Sequence, residues 1–559
     1  MLVAMRTALT LLLLATPALA DDLRLITTGW NKPTARQFAR DAASNGGVPA
    51  DGTALAVRAK GGSNSNPFRN AHAAEDWGGV DFAPAVNALA GAGNRGRWQT
   101  AYVVLNANPG DVDWLDDAGW AQVVDHWRAA ARVAKAGRLS GLLFDPEPYK
   151  KPFAQFDYAK QPRAAGHPFA DYEAAARRRG REVMRAVAAE CPDCELLSYF
   201  WNSYLVRDHR YRGPTPVGDD DDLKPDAKHC LAGHSYGLLP AFFDGMLSEA
   251  PGTVRFVDGC ENAYWFTERP QFFAHAADVR TRGRALVSPE NRGKYDAQVR
   301  VGMAVFLDAY HPDLVGKWTL KPEESDRLGL LRRNVRDAFE AGDGLVWLYN
   351  EHGRWWPKPG ESAEWRKKEV YPLWEEVLPG VTDALAAARE EVGSLPKPTA
   401  EEVAAVHAEP PSADLAGRGG LKWQSWVRPE TGGTVELTEG GAVLAGCTDA
   451  AAIVRVSAEP GETVAVRTEV RQTGRGLPVV ALRWRDAENK WLAGPSIPGR
   501  AITSVGYAEA GDPAEWRAVR VRGTCPEGAA FAVATLGVES QFEEGRAEYR
   551  GVSFRAGRE

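Results

Sequence analysis

The chain has 559 residues and a net charge of −7 at neutral pH; 44% of its residues are hydrophobic and 25% charged. That length exceeds what one compact core holds and predicts two or three domains. The mild acidity argues against nucleic acid or an anionic membrane surface as the main partner.

Residues 1–20 read as a cleaved export signal. Arg6 supplies the positive start, Leu11 to Leu14 the apolar centre, and Ala18-Leu19-Ala20 the small-residue cleavage site before Asp21-Asp22. No cysteine follows that site, and no later stretch is long and apolar enough to span a bilayer. The expected location is therefore secreted or periplasmic, without a membrane anchor. In such a compartment the six cysteines are expected to form disulfides. Cys191 and Cys194 bracket Pro-Asp, Cys230 and Cys260 lie in the same half, and Cys447 and Cys525 are expected to pair with each other. A metal or redox reading of Cys191-x-x-Cys194 lacks a second such motif or a paired His.

Residues 21–392 carry short apolar runs separated by amphipathic stretches. The runs are Leu23–Trp30, Thr53–Arg58, Thr100–Asn106, Gly141–Asp145, Leu196–Trp201, Thr253–Asp258, Val301–Asp308 and Gly344–Asn350. Helical spacing appears between them, as in Asp117–Lys135, Tyr172–Ala189, Gln271–Arg282 and Glu324–Glu340. Strands without polar alternation, separated by helices, are parallel and covered on both faces. Eight such units predict an α/β fold, a closed (β/α)8 TIM barrel. Thr28-Gly29-Trp30-Asn31 stands where a dinucleotide-binding Gly-x-Gly-x-x-Gly would follow the first strand, so an open doubly wound sheet is the weaker alternative. Pro- and Gly-rich residues 393–420 read as a linker. Beyond it, residues 421–559 show short alternating runs such as Thr463–Val470 and Val479–Trp484, which predict a smaller antiparallel β-sandwich of jelly-roll type.

Chemistry in a (β/α)8 barrel lies at the carboxyl ends of the strands. Here those ends carry Trp30, Asn106, the trio Asp145, Glu147 and Tyr149, then Trp201 and Asn202, then Asp258, Glu261 and Tyr264, then Asp308, and finally Asn350 and Glu351. Aromatic faces cover the C–H side of a sugar ring, and acids and amides bind its hydroxyls. Asp145 and Glu147 are two residues apart, so in an extended chain they leave one face, and their mutual repulsion raises one pKa. A neutral acid beside an ionised carboxylate is what glycosidic-bond cleavage requires. The plainer reading is that Asp145 caps the next turn and Glu147 is a solvated loop acid.

The strand ending Phe144-Asp145-Pro146-Glu147 resembles the fourth-strand signature of (β/α)8 glycoside hydrolases, and its Asp-x-Glu spacing is similar to that of the chitinase-like families. Ser140 and Leu143 stand where chitinases carry two further aspartates, which points to another glycosidase family. The resemblance implies that Glu147 is the proton donor and Asp145 the orienting carboxylate. Glu351, expected across the barrel, is the second acid; Asp258 competes with it, although Asp258-Gly259 can also simply turn the chain. Trp30, Asn106, Tyr149, Trp201, Asn202, Asp258, Glu261, Tyr264, Asp308 and Asn350 are expected to bind substrate. The sandwich resembles the carbohydrate-binding modules of secreted polysaccharide hydrolases, with Trp423, Trp426, Trp484 and Trp491 as candidate stacking residues. The expected activity is hydrolysis of a poly- or oligosaccharide, without cofactor or metal. His311, His352, His229 and His234 have no metal-ligand spacing, and Asp219–Asp222 read as a solvated acidic loop. A non-catalytic carbohydrate-binding barrel and a polysaccharide lyase are the alternatives.

Overall fold

The computed structural model describes residues 23–559 except 62–64, 150–154, 207–230, 232–234, 315–318, 321–325, 358–370, 407–412, 419, 428–431, 448, 475–476, 493–502, 509–512, 540–544 and 558–559. The expected export signal, Cys230, His229, His234 and Asp219–Asp222 therefore lie outside the described residues.

Eight parallel strands close into a barrel in chain order: β1 (Arg24–Gly29), β2 (Gly52–Leu55), β3 (Thr100–Asn106), β4 (Gly141–Asp145), β5 (Glu195–Ser198), β6 (Arg255–Asp258), β7 (Val299–Phe306) and β8 (Leu345–Asn350). Closure runs from Arg24 opposite Leu345 to Gly29 opposite Asn350. Gly29 has φ +119°, and a Cβ there would sit 2.0 Å from the Asn350 carbonyl oxygen, so only glycine lets the ends of β1 and β8 approach this closely. The expected helices are present as Asp117–Ala136, Phe169–Glu190, Arg269–Asp278 and Arg327–Ala341. Each starts for a local reason where the sequence offers one. Asp116 accepts from the Ala118 N–H at 3.1 Å, and the Gln271 side chain accepts from the Thr267 and Glu268 N–H groups.

Three strands end two or three residues before their apolar runs do. β2 stops at Leu55, where Ala56 turns to pair with Thr34. β5 stops at Ser198, whose hydroxyl donates to Phe200 O at 2.7 Å. β7 gives way to a tight turn, Leu307–Tyr310. The barrel floor is held by Arg24, which forks onto Glu195 at 2.8 and 3.0 Å, with the Tyr102 hydroxyl donating to the same carboxylate.

The second region contains two antiparallel sheets. One has the order β10 (Lys422–Val427), β13 (Asp449–Ser457), β18 (Phe531–Glu539), β15 (Leu477–Arg485), β16 (Thr503–Tyr507). The other runs β11 (Thr434–Thr438), β12 (Gly441–Ala445), β19 (Arg546–Gly557), β14 (Thr463–Thr473), β17 (Arg517–Thr524). Val454, Leu482 and Leu536 of the first share one core with Val464, Val519 and Phe554 of the second, which makes the pair a sandwich. The expected linker is partly ordered. Arg269 donates to Pro396 O, a helix spans Ala400–Ala405, and β9 (Ala413–Asp414) pairs with β19.

The disulfide expectation is corrected. Cys191, Cys194, Cys260 and Cys525 are all buried free thiols. Cys447 does not meet Cys525 because its Sγ is turned onto Thr434 O and Ala445 O, both at 3.2 Å. Cys191 and Cys194 share a side-chain hydrogen bond. Trp484 is likewise corrected from stacking candidate to core residue, whereas Trp426 and Trp491 are exposed.

Candidate active site

β4 delivers its acids to the carboxyl end of the barrel. Pro146 and Pro148 flank Glu147, and neither ring offers an N–H to the ladder, so the sheet cannot continue past Asp145. The Asp145 carboxylate is buried and doubly held. Its Oδ1 accepts from the Glu147 N–H at 3.0 Å, and its Oδ2 accepts from Asn106 Nδ2 at 2.6 Å, the residue opposite it on β3. Asp145 thus does cap the turn, and the turn carries the second acid. Half-buried Glu147 accepts from the Tyr149 hydroxyl at 2.5 Å, while the Tyr149 N–H donates to Asn108 Oδ1. Burial, then the nearby charge of Glu147, pushes the Asp145 carboxyl well above the usual carboxylate range; the Glu147 N–H, the Tyr149 hydroxyl and Lys32 pull more weakly the other way.

Three tyrosines from other strands face these acids. Tyr199 follows β5, Tyr264 lies on the turn Glu261–Trp265 after β6, and Tyr349 is on β8. Burial pushes each phenol up, and negative charge adds to it: from Asp145, Glu261 and Glu147 at Tyr199, from Glu261 and Glu147 at Tyr264, and from Glu351, Asp145 and Glu147 at Tyr349. Tyr236, on the segment before Leu239–Glu249, feels Glu147, Glu261 and Asp145 in the same way. Asp145, Glu147, Glu261 and Glu351 therefore share one mouth lined by neutral phenols. Trp347 supports that lining. Tyr199 stacks on it at 4.5 Å and 16°, Tyr264 meets it edge-on at 5.4 Å, and its Nε1 donates to Gly259 O at 2.7 Å. The Tyr199 hydroxyl is 2.8 Å from Thr28 Oγ1.

Glu351 is presented by the rim between β7 and β8. Asp308 accepts from the Glu351 N–H at 2.8 Å, the His352 N–H at 2.9 Å and His352 Nδ1 at 2.5 Å. Asn31 Nδ2 donates to Glu351 O at 3.0 Å, and Trp30 lies 6.0 Å from the His352 ring. Asp308 is thus a positioning residue for the Glu351 turn.

Four expected binding residues lie elsewhere. Trp201 is fully buried between Phe144 (5.5 Å) and Phe243 (4.9 Å), a stack that contributes about 0.5–1.5 kcal/mol beyond its burial. Asn202 donates to Gly283 O, and Asn350 to Gly353 O. Asp258, fully buried, accepts from the Trp201 N–H at 2.9 Å, the Ser203 N–H at 2.8 Å and the Ser203 hydroxyl. Its carboxylate latches the loop after β5, and burial raises its pKa against those donors. In chain order these residues stand beside the mouth; in space Trp201 is packed in the core, and the Asn202 and Asn350 amide nitrogens and the Asp258 carboxylate are turned onto the protein's own backbone.

The sequence reading missed Lys32, Tyr199, Tyr236 and Tyr349. Period-2 alternation along β8 puts Tyr349 on the face of Trp347, a signal that could have found it. Tyr236 and Lys32 lie on loops whose course no local pattern specifies. Among the described residues, no three His, Cys, Asp or Glu side chains group as metal ligands.

No family model and no curated protein matches the chain. Among solved structures it is similar to the enzymatically active domain of a bacteriophage CBA120 tailspike protein, with 14% identity and TM-score 0.18 over 27% of this chain and 21% of that one. It is similar to a family 16 carbohydrate-binding module, with 14% identity and TM-score 0.17 over 22% of this chain and 88% of that one. It is also similar to a GH5-4 broad-specificity endoglucanase from an uncultured bacterium, with 12% identity and TM-score 0.31 over 64% of this chain and 86% of that one. The chain thus spans about a fifth of the tailspike domain's length, and no family assignment follows from overlaps of this size.

Proposed function

We propose that the barrel is a glycoside hydrolase that cleaves a poly- or oligosaccharide by carboxylate general acid catalysis, in a protein exported from the cell. One observation carries the reading: the Asn106–Asp145–Glu147–Tyr149 network, which sets one buried, proton-retaining carboxyl beside a second, half-buried acid at the carboxyl end of β4. Glu147 donates the proton to the leaving oxygen. Asp145 orients Glu147 through its backbone N–H, and the two acids share the proton that burial retains, with Glu147 as the less buried member that delivers it. Glu351, with Glu261 as the competing group, supplies the second carboxylate that stabilises developing positive charge or activates water. The phenols offer neutral hydrogen-bond donors and ring faces for sugar hydroxyls and C–H edges.

Reducing-end release across a panel of polysaccharides tests the proposal. Glu147→Gln is expected to abolish release while leaving sugar binding intact. Unchanged turnover in that variant overturns the assignment, and binding without release over the whole panel by the unaltered protein favours a non-catalytic barrel.

A further inference from the structure

Residues 146–149 read Pro-Glu-Pro-Tyr, and proline has no backbone N–H, so this stretch offers only two backbone donors, those of Glu147 and Tyr149. Both are captured by side chains. The Glu147 N–H donates to Asp145 Oδ1 at 3.0 Å, and the Tyr149 N–H donates to Asn108 Oδ1 at 2.5 Å. With the prolines fixing φ between them, these two acceptors set the course of the rim after β4. Tyr149 is 49% exposed, so packing alone does not fix its ring. Its direction depends on that backbone anchor and on the hydroxyl that it donates to Glu147.

Asn108 suits an anchor because it is itself buried and held from behind. Its carbonyl oxygen accepts the His72 N–H at 3.0 Å, and His72 pairs with Pro109 in a short parallel bridge. The fully buried His72 ring stacks on Phe144 of β4 at 5.6 Å and 23°, and its Nε2 accepts from Trp127 Nε1 at 3.2 Å. Two carbonyls that flank His72 in sequence, Ala71 O and Glu75 O, lie 3.0 and 2.7 Å from the two ring nitrogens of His126. That ring in turn stacks on Trp77 at 3.6 Å. The loop after β2 and the helix Asp117–Ala136 therefore brace Asn108 together.

We propose that Asn108 is a positioning residue for the proton donor: it fixes the Tyr149 backbone, and Tyr149 directs the Glu147 carboxyl at the leaving oxygen. The proposal rests on the reading of Glu147 as the proton donor and extends it to a buried residue of the loop after β3. Its role differs from that of Asn106. Asn106 donates to Asp145 and acts on charge, whereas Asn108 accepts from backbone and acts on direction. A misplacement of about 1 Å costs about 100-fold in rate, so an anchor of this kind is felt in turnover although it lies behind the reacting atoms.

The test compares full-length Asn108→Leu, which removes the acceptor, with Asn108→Asp, which keeps it. Asn108→Leu is expected to lower kcat about 10- to 100-fold with KM changed less than about threefold, and Asn108→Asp to recover most of that loss. A second readout needs no turnover. The Asp145–Glu147 pair titrates as a unit, and difference infrared spectroscopy follows it through the carboxyl bands that Glu147→Gln alters. Losing the Tyr149 hydroxyl bond disfavours the charged form, so Asn108→Leu should move this titration up by about one pH unit. Tyr149→Phe should do the same, and the double variant should go no further, because both changes remove one interaction. Additive shifts, no shift, an Asn108→Leu kcat within about twofold of the unaltered protein, or an Asn108→Asp variant as impaired as Asn108→Leu overturns the proposal. An unaltered protein that releases no sugar from any polysaccharide refutes the glycosidase reading instead, and the infrared cycle then decides the role of Asn108 by itself.

Discussion

Asn106 Nδ2 lies 2.6 Å from Asp145 Oδ2, at the point where β3 and β4 end in register. This contact ties the buried acid of the mouth, whose pKa is raised, to the barrel wall. A donor on a carboxylate favours its charged form, so Asn106 opposes the upward push from burial and from Glu147. Replacing Asn106 with Leu keeps the volume and removes the donor. Turnover is expected to fall about tenfold, and the limb of the pH–rate profile that reports Asp145 should move up by about one unit. Steady-state rates from pH 4 to 9 check this.

Tyr149 donates to Glu147 and so fixes the direction of the proposed proton donor. Tyr149→Phe leaves the ring and removes the hydroxyl. A drop of about 10- to 100-fold in kcat, with KM changed far less, is expected from the loss of an interaction that matters in the transition state. An equal rise in KM alone would assign Tyr149 to substrate binding.

Asp145 also makes stability depend on pH. For an acid whose folded pKa is raised, the folded state holds more protons than the unfolded chain between the two values, so stability falls as pH rises through that window. The window opens near the unfolded value of about 3.9 and extends upward to the raised folded value. Asp145→Asn removes the titration, and Asn106 can turn its amide to offer oxygen. The variant is expected to melt higher than the unaltered protein at pH 7–8 and nearly equally at pH 4, with little activity at either. Thermal melts of the barrel transition at the two pH values measure it.

Asp258 and Glu351 should separate cleanly. Asp258→Ala leaves the Trp201 and Ser203 N–H groups without their acceptor in a fully buried place and is expected to cost about 3–5 kcal/mol of barrel stability in urea titrations. Glu351→Gln, half-buried on a turn that Asp308 holds through the backbone, is expected to fold normally and lose turnover. Retained activity in Glu351→Gln would shift the second role to Glu261.

Hydrophobic periodicity located all eight barrel strands because each is buried on both faces and must be apolar throughout. It misjudged where β2, β5 and β7 end, because those ends are decided by partners far away in the chain, such as Asp258 drawing in the loop after β5. In the sandwich, β10, β12 and β16 fell outside the most strongly alternating runs and became visible only through their pairing with β13, β19 and β15.

The local sequence by itself determined that residues 141–145 form a buried strand ending in one acid, with a second acid two residues on, because apolar residues followed by Pro-Glu-Pro leave the backbone little choice. Only the tertiary structure decided which rim residues share that mouth. Asp258 and Glu261 stand three positions apart, yet one carboxylate turns inward to latch a loop and the other acts, with Asp145 and Glu147, on the Tyr199 phenol. The direction of a side chain at a strand end is set by which distant backbone N–H groups lack an acceptor, and that is a property of the closed barrel that no short segment contains.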